Sequence, residues 1–180
     1  MTVSGGAVVP GGPSPAAEFV AALKARGWTV ATAESLTAGL VAATIADVPG
    51  ASAVLRGGLV VYATDLKHTL ADVPDEVLAR FGAVSAETAR ALAAGAAVRC
   101  GASVGIGLTG VAGPEEQEGR PVGTVYVGVS VPGRPPWSER LALVGDRSQI
   151  RVGACVAAME MVTEVARTGD EGESEGRPGR

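Results

Sequence analysis

Apolar positions along this chain switch between helical and strand spacing, and the switches divide it into alternating elements. Phe19, Val20 and Leu23 recur at helical spacing. Ser14 precedes them as an N-cap, Pro15 takes the first helical position, and Gly27 supplies the stop. Trp28–Ala33 alternates and predicts a strand buried on one side. Glu34–Gly39 reads as a strand-to-helix turn, after which Leu40, Val41, Thr44 and Ile45 predict a helix ending near Pro49. Gly58–Thr64 predicts an apolar strand, and two short helices follow at Asp65–Ala71 and Pro74–Phe81. Ser85 caps a long alanine-rich helix that runs to about Arg99. Gly101–Thr109 is a glycine-interrupted strand, and Val122–Val131 pairs with Ser138–Val144 across the Pro132–Pro136 turn. Asp146–Arg167 closes the series as a helix with Ile150, Ala154, Ala158, Met161 and Val165 on its apolar face.

Strands alternate with helices early, and a hairpin comes late. That order predicts an α/β fold, a three-layer α/β/α sandwich with a mixed β-sheet. Residues 1–13 read as a flexible leader, 14–167 as one domain and 168–180 as a charged, disordered tail.

Composition narrows the function classes. Hydrophobic residues make up 47% of the 180, enough for a sizeable core, but aromatics are only 3%, so few rings are available to stack on bases. The net charge of −4 and the lack of a Lys/Arg cluster argue against a nucleic-acid partner. No apolar run approaches the about 18 residues a membrane span needs, and the beginning of the chain lacks a secretion pattern, so no membrane partner and a cytoplasmic location are expected. Cys100 and Cys155 are far apart, which predicts reduced thiols. With His68 as the single histidine and no paired cysteines, no metal and no cofactor are expected. Neither a P-loop nor a dinucleotide fingerprint is present.

Nucleophilic chemistry remains, and Pro49–Lys67 carries its parts. No G-x-S-x-G elbow exists, so a serine would have to be activated by lysine. Lys67 follows an apolar strand, where desolvation would lower its pKa. Neutral, it could take a proton from Ser52, with the Tyr62 hydroxyl as relay. Fully extended, Ser52 and Tyr62 would stand about 33 Å apart at roughly 3.3 Å per residue, so the chain must fold back at Gly57-Gly58 to unite them. Spacing alone favours the plainer alternative, with Ser52 as a turn residue, Tyr62 as core and Lys67 as a solvated charge. Thr109–Pro114 exposes backbone N–H groups to an anion, and Arg147, beside the Asp146 cap, sits at a helix N-terminus where an anion would bind.

The motifs Ala33–Gly39, Arg56-Gly57-Gly58 through Tyr62 to Lys67, Gly82–Ser85, Thr109–Pro114, Pro121–Val125 and Gly145–Arg147 together resemble the CinA C-terminal domain family. The likeness spans about residues 15–166. It implies a stand-alone PncC-type nicotinamide mononucleotide deamidase, which hydrolyses the carboxamide to nicotinate mononucleotide and ammonia without metal. Carried over, Ser52, Tyr62 and Lys67 are the expected catalytic residues, and Glu34, Ser35, Gly50, Thr109, Gly110 and Arg147 the expected substrate-binding ones. The implied partner is a small nucleotide substrate, and the apolar face of the last helix suggests a homodimer. Departures from the family pattern at Leu36, Ala38 and Glu115-Glu116 bear on the pocket. They leave two alternatives, a non-catalytic nucleotide-binding or regulatory protein and an amidase on another small amide.

Overall fold

The computed structural model describes residues 14–168. The expected leader (1–13) and all but the first residue of the expected tail lie outside them; Thr168 itself is helical. Helix boundaries follow the sequence signals closely. Ser14 Oγ accepts from Ala17 N, and α1 (Pro15–Arg26) ends at Gly27 in the left-handed region. Ser85 Oγ accepts from Thr88 N to start α5 (Ala86–Cys100). Asp146 and Gln149 cap α6 (Arg147–Thr168) reciprocally, each side chain accepting from the other's backbone N–H.

Between these lie β1 (Val30–Glu34), α2 (Leu40–Ala46), β2 (Leu55–Val60), α3 (Thr64–Ala71), α4 (Asp75–Phe81), β3 (Val104–Gly110), β4 (Thr124–Ser130) and β5 (Trp137–Ala142). The strands form one mixed sheet in the order β2-β1-β3-β4-β5. β1 runs parallel to β2 and β3, while β4 and β5 are antiparallel additions. The fold is the expected α/β sandwich with a mixed sheet. On one face, Val30, Ile106, Leu108 and Val127 pack with Phe19, Leu23, Ile45 and Met159 of α1, α2 and α6. On the other, Ala31, Ala33 and Val61 pack with Ala71, Leu92 and Ala96 of α3 and α5. Helix α5 lies almost in contact with the sheet backbone: a Cβ at Gly105 or Gly107 would overlap the Ala93 or Ala89 carbonyl.

Two strand expectations are corrected. The segment read as half buried is the wholly buried β1, because it sits between two neighbours with helices on both faces. Strand β2 begins at Leu55, three residues before the expected Gly58, and carries Gly57 and Gly58 in its middle, paired with Ala31 and Thr32. The chain does not fold back there. No helix among the described residues is long and apolar enough to cross a membrane.

Candidate active site

The three parallel strands all end at one edge of the sheet, where Ser35, Val61-Tyr62 and Thr109-Gly110 emerge. From β1 the chain passes over one face to β2, and from β2 it returns through α3, α4 and α5 to β3 on the other side of β1. The crevice where connections diverge beyond the carboxyl ends of parallel strands is the usual ligand site of such sheets. A pocket of about 400 Å³ opens here, lined among others by Ser35, Tyr62, Lys67, Thr109, Gly110 and Arg147. That volume falls within the roughly 300–1,000 Å³ range of small-molecule sites.

Lys67 organises its floor. It projects from α3 and is only 2% exposed. Its Nζ lies 3.0 Å from Val61 O, 3.4 Å from Tyr62 O and 3.1 Å from Ser35 Oγ. An ammonium would donate to all three oxygens. A neutral amine donates to the two carbonyls and turns its lone pair to the Ser35 hydroxyl, which then donates to it. Burial pushes the Lys67 pKa below the ordinary lysine value, and the negative charges of Glu118 and Asp65 act in the opposite direction.

Ser35 is held at the end of β1 by its own N–H, which donates to Leu108 O at 3.0 Å. The chain then turns through Ala38 (φ 52°) and Gly39 (φ 91°) into α2. A non-glycine residue in this left-handed conformation costs about 1–2 kcal/mol, so the turn must be held from outside. Glu34 does this from the buried last position of β1. Its Oε2 accepts from Gly39 N (2.9 Å) and Val41 N (3.1 Å), and its Oε1 from Ala42 N (2.9 Å) and Thr32 Oγ1 (2.9 Å). Glu34 replaces the absent side-chain N-cap of α2. Arg151 of α6 braces the same turn, donating to Leu36 O at 3.0 Å and Thr37 O at 2.7 Å.

The sequence-derived trio does not assemble. Tyr62 and Lys67 lie in the pocket, but Ser52 sits in a 3₁₀ turn (Ala51–Ala53) ahead of β2, and neither it nor Gly50 lines the pocket. Strand β2 lies between Ser52 and Tyr62, six residues or about 20 Å of extended chain at roughly 3.3 Å each. Ser52 therefore sits at the opposite edge of the sheet from Lys67, because Gly57-Gly58 continues the strand. Gly50 is at that edge too, with a left-handed φ of 83° and its α-carbon close to the Lys24 ammonium. Glu34 likewise has both oxygens committed to α2 and β1 instead of facing the pocket. Ser35 occupies the place expected of Ser52.

The remaining expected residues surround the pocket. Thr109 is a wall residue whose hydroxyl donates to Ala83 O at 2.6 Å. Gly110 packs so close to β4 that a Cβ would come within 2.6 Å of Thr124 O. Arg147 donates through one terminal nitrogen to Gly113 O (2.6 Å) and through the other to the Tyr62 hydroxyl (2.7 Å). It stands at the first position of the 22-residue α6, where peptide dipoles and unpaired N–H groups favour an anion. Arg151 and Glu118 were not singled out from the sequence. The Ser35 signal was there: a serine two residues past a predicted strand, in the turn opening a helix.

Comparisons with known proteins bear on the family and the fold. The CinA C-terminal domain profile matches residues 13–166. A CinA-like protein of Frankia casuarinae is 46% identical over 177 residues, covering 92% of this chain and 40% of its own length. A CinA-like protein of Myxococcus xanthus is 44% identical over 150 residues, covering 83% of this chain and 36% of its own. The chain thus spans about two fifths of the length of these curated relatives. Among solved structures, a competence-damaged protein (CinA) superfamily protein from Klebsiella pneumoniae superposes with a TM-score of 0.82 at 31% identity, over 85% of this chain and 96% of its own. A competence/damage inducible protein from Agrobacterium tumefaciens gives 0.79 at 32% identity over the same shares. With a match across nearly every described residue and the same fold in solved relatives, the chain belongs to the CinA C-terminal domain family.

Proposed function

We propose that this domain is an amidohydrolase that releases ammonia from the carboxamide of nicotinamide mononucleotide, with Ser35 as nucleophile and Lys67 as its general base. The observation that carries the reading is the buried Lys67 amine 3.1 Å from Ser35 Oγ. Nucleophile and base within hydrogen-bond reach are what serine–lysine catalysis requires. Ser35 Oγ attacks the amide carbon as its proton passes to Lys67. The tetrahedral intermediate breaks its C–N bond, and Lys67 returns the proton to the departing ammonia. Water then hydrolyses the acyl-serine ester and regenerates Ser35.

The oxyanion needs donors beside the nucleophile. Leu36 N and Thr37 N, the next two backbone groups, have no protein acceptor among the described residues. One such donor contributes about 2.7–4 kcal/mol to transition-state stabilisation. At the far end of the pocket, Arg147 and the α6 N-terminus suit the substrate phosphate. Tyr62, tied to Arg147, is more exposed than a proton relay would be (53%) and is better placed to contact the nucleotide.

Glu115 and Glu116 in the pocket wall, whose negative charge works against a bound phosphate, favour a second reading, an amidase on another small amide. The test is ammonia release by the purified chain from nicotinamide mononucleotide, nicotinamide riboside, nicotinamide and non-pyridine amides. The reading expects the mononucleotide to give the highest kcat/KM. Faster turnover of a non-pyridine amide would favour the second reading. Tight mononucleotide binding without ammonia would make the domain a nucleotide-binding module instead.

A further inference from the structure

We infer that Glu118 is a positioning residue: it latches the loop between Gly113 and Pro121 onto the Ala83-Val84 backbone and so completes the pocket wall around Ser35 and Lys67. Glu118 Oε1 accepts from Ala83 N at 3.3 Å, and Oε2 from Val84 N at 3.2 Å. Ala83 and Val84 line the pocket, as do Glu115, Glu116 and Gln117 just before the latch. The wall is thus held from two sides, by Thr109 Oγ1 donating to Ala83 O from β3 and by Glu118 from the loop.

The loop is built to present this carboxylate. Gln117 and Arg120 pair through reciprocal backbone bonds of 3.2 and 2.8 Å. The two residues between them, Glu118 (φ 51°) and Gly119 (φ 68°), both take the left-handed conformation of a two-residue hairpin turn. Glycine, asparagine or aspartate suits the first of these positions better than glutamate. A strained residue is retained where its side chain has a task, and here the side chain bonds two successive N–H groups.

The latch also brings a negative charge towards Lys67, where it raises the Lys67 pKa against the lowering by burial. Asp65 on Lys67's own helix acts in the same sense. Glu34 beneath Ser35, Arg147 beyond Tyr62, and Glu115 and Glu116 in the pocket wall are further charged groups of the surroundings. Glu118 is therefore placed both to shape the pocket and to set the pH at which Lys67 becomes a base.

The kinetic part of this inference rests on the Ser35–Lys67 reading, so the experiment has two arms that need no turnover. The first is amide hydrogen exchange at Ala83 and Val84. Exchange should accelerate at least about 10-fold in Glu118→Ala, as expected when a charge-assisted acceptor is lost. The second is an NMR titration of the Lys67 ε-carbon. Its midpoint should move to lower pH in Glu118→Gln, which removes the charge but keeps an acceptor, and return towards the parent value in Glu118→Asp. In the kinetic arm, the acidic limb of ammonia release should follow the same midpoint, and Glu118→Ala should raise KM more than it lowers kcat. Unchanged amide exchange in Glu118→Ala would overturn the latch, and an unchanged Lys67 midpoint in Glu118→Gln would overturn its effect on the Lys67 charge. An absence of turnover in the parent protein with both NMR effects present would overturn the amidase reading and leave the latch standing.

Discussion

Removing the Glu34 carboxylate should cost more than any other polar substitution near the pocket. Glu34→Ala strips the acceptor from three backbone N–H groups, those of Gly39, Val41 and Ala42, and from the Thr32 hydroxyl. A buried donor left unpaired costs about 1–3 kcal/mol. Val41 is buried, while Gly39 and Ala42 are half-buried and water can reach them. Weighting the first at the middle of that range and the other two at its lower end gives a loss of about 4 kcal/mol, a large share of the 5–15 kcal/mol that typically holds a domain together. At roughly 2–4 °C per kcal/mol for a domain of this size, Tm should fall by about 8–16 °C. Glu34→Gln keeps one acceptor oxygen but turns an NH2 towards backbone donors, so it should lose about half as much. Both variants also release the turn through Ala38 that holds Ser35, and kcat should fall beyond what the unfolded fraction explains. Calorimetry and ammonia release below the transition test this together. A Tm within about 2 °C of the parent, with KM raised and kcat unchanged, would refute it and return Glu34 to the substrate.

Two more outcomes follow from the pocket. Lys67 acts as a base only when neutral, so activity should rise with pH through its lowered pKa, and Lys67→Arg, which stays protonated, should be inactive at every pH. The stability contribution has the same sign: because the unfolded chain binds the proton more tightly, stability gains as pH rises from the lowered folded value to the ordinary lysine value, which pH-dependent urea unfolding will show. Arg147→Ala should raise KM for the mononucleotide about 10-fold or more, from the loss of one charge-assisted hydrogen bond of about 1.5–3 kcal/mol, and leave KM for the riboside nearly unchanged. Equal effects on both substrates would remove Arg147 from the phosphate.

Most of the fold was legible because its signals are local. Ser14, Gly27 and Ser85 act within a few residues of their own helices, so capping chemistry places those ends directly. The final hairpin and the Asp146 cap were readable for the same reason. What local spacing could not show was which end of the sheet a residue would occupy. Ser52 and Lys67 are close in sequence, yet β2 carries the chain from one edge of the sheet to the other between them. Ser35 lies 32 positions from Lys67 and meets it because β1 and β2 are parallel neighbours ending at the same edge. Parallel pairing is a long-range fact that hydrophobic period does not reveal. The Gly57-Gly58 pair misled for a related reason: glycine permits a turn, but here its small size serves sheet packing, with Gly58 facing Thr32 and Ala42. Glu34 showed as a polar residue in a functional motif, and only the fold shows its four accepted bonds pointing into α2 and β1.

The central claim is that the serine at the end of β1, and not the one ahead of β2, is the nucleophile. It is tested most directly by comparing ammonia release from nicotinamide mononucleotide by Ser35→Ala and Ser52→Ala, each checked for parent-like thermal unfolding. Loss of an activated serine nucleophile should lower kcat by at least about 10³-fold, so Ser35→Ala should be nearly silent. Ser52→Ala should turn over within about 2-fold of the parent, as an exposed substitution away from the pocket does. A silent Ser52→Ala beside an active Ser35→Ala would contradict the account.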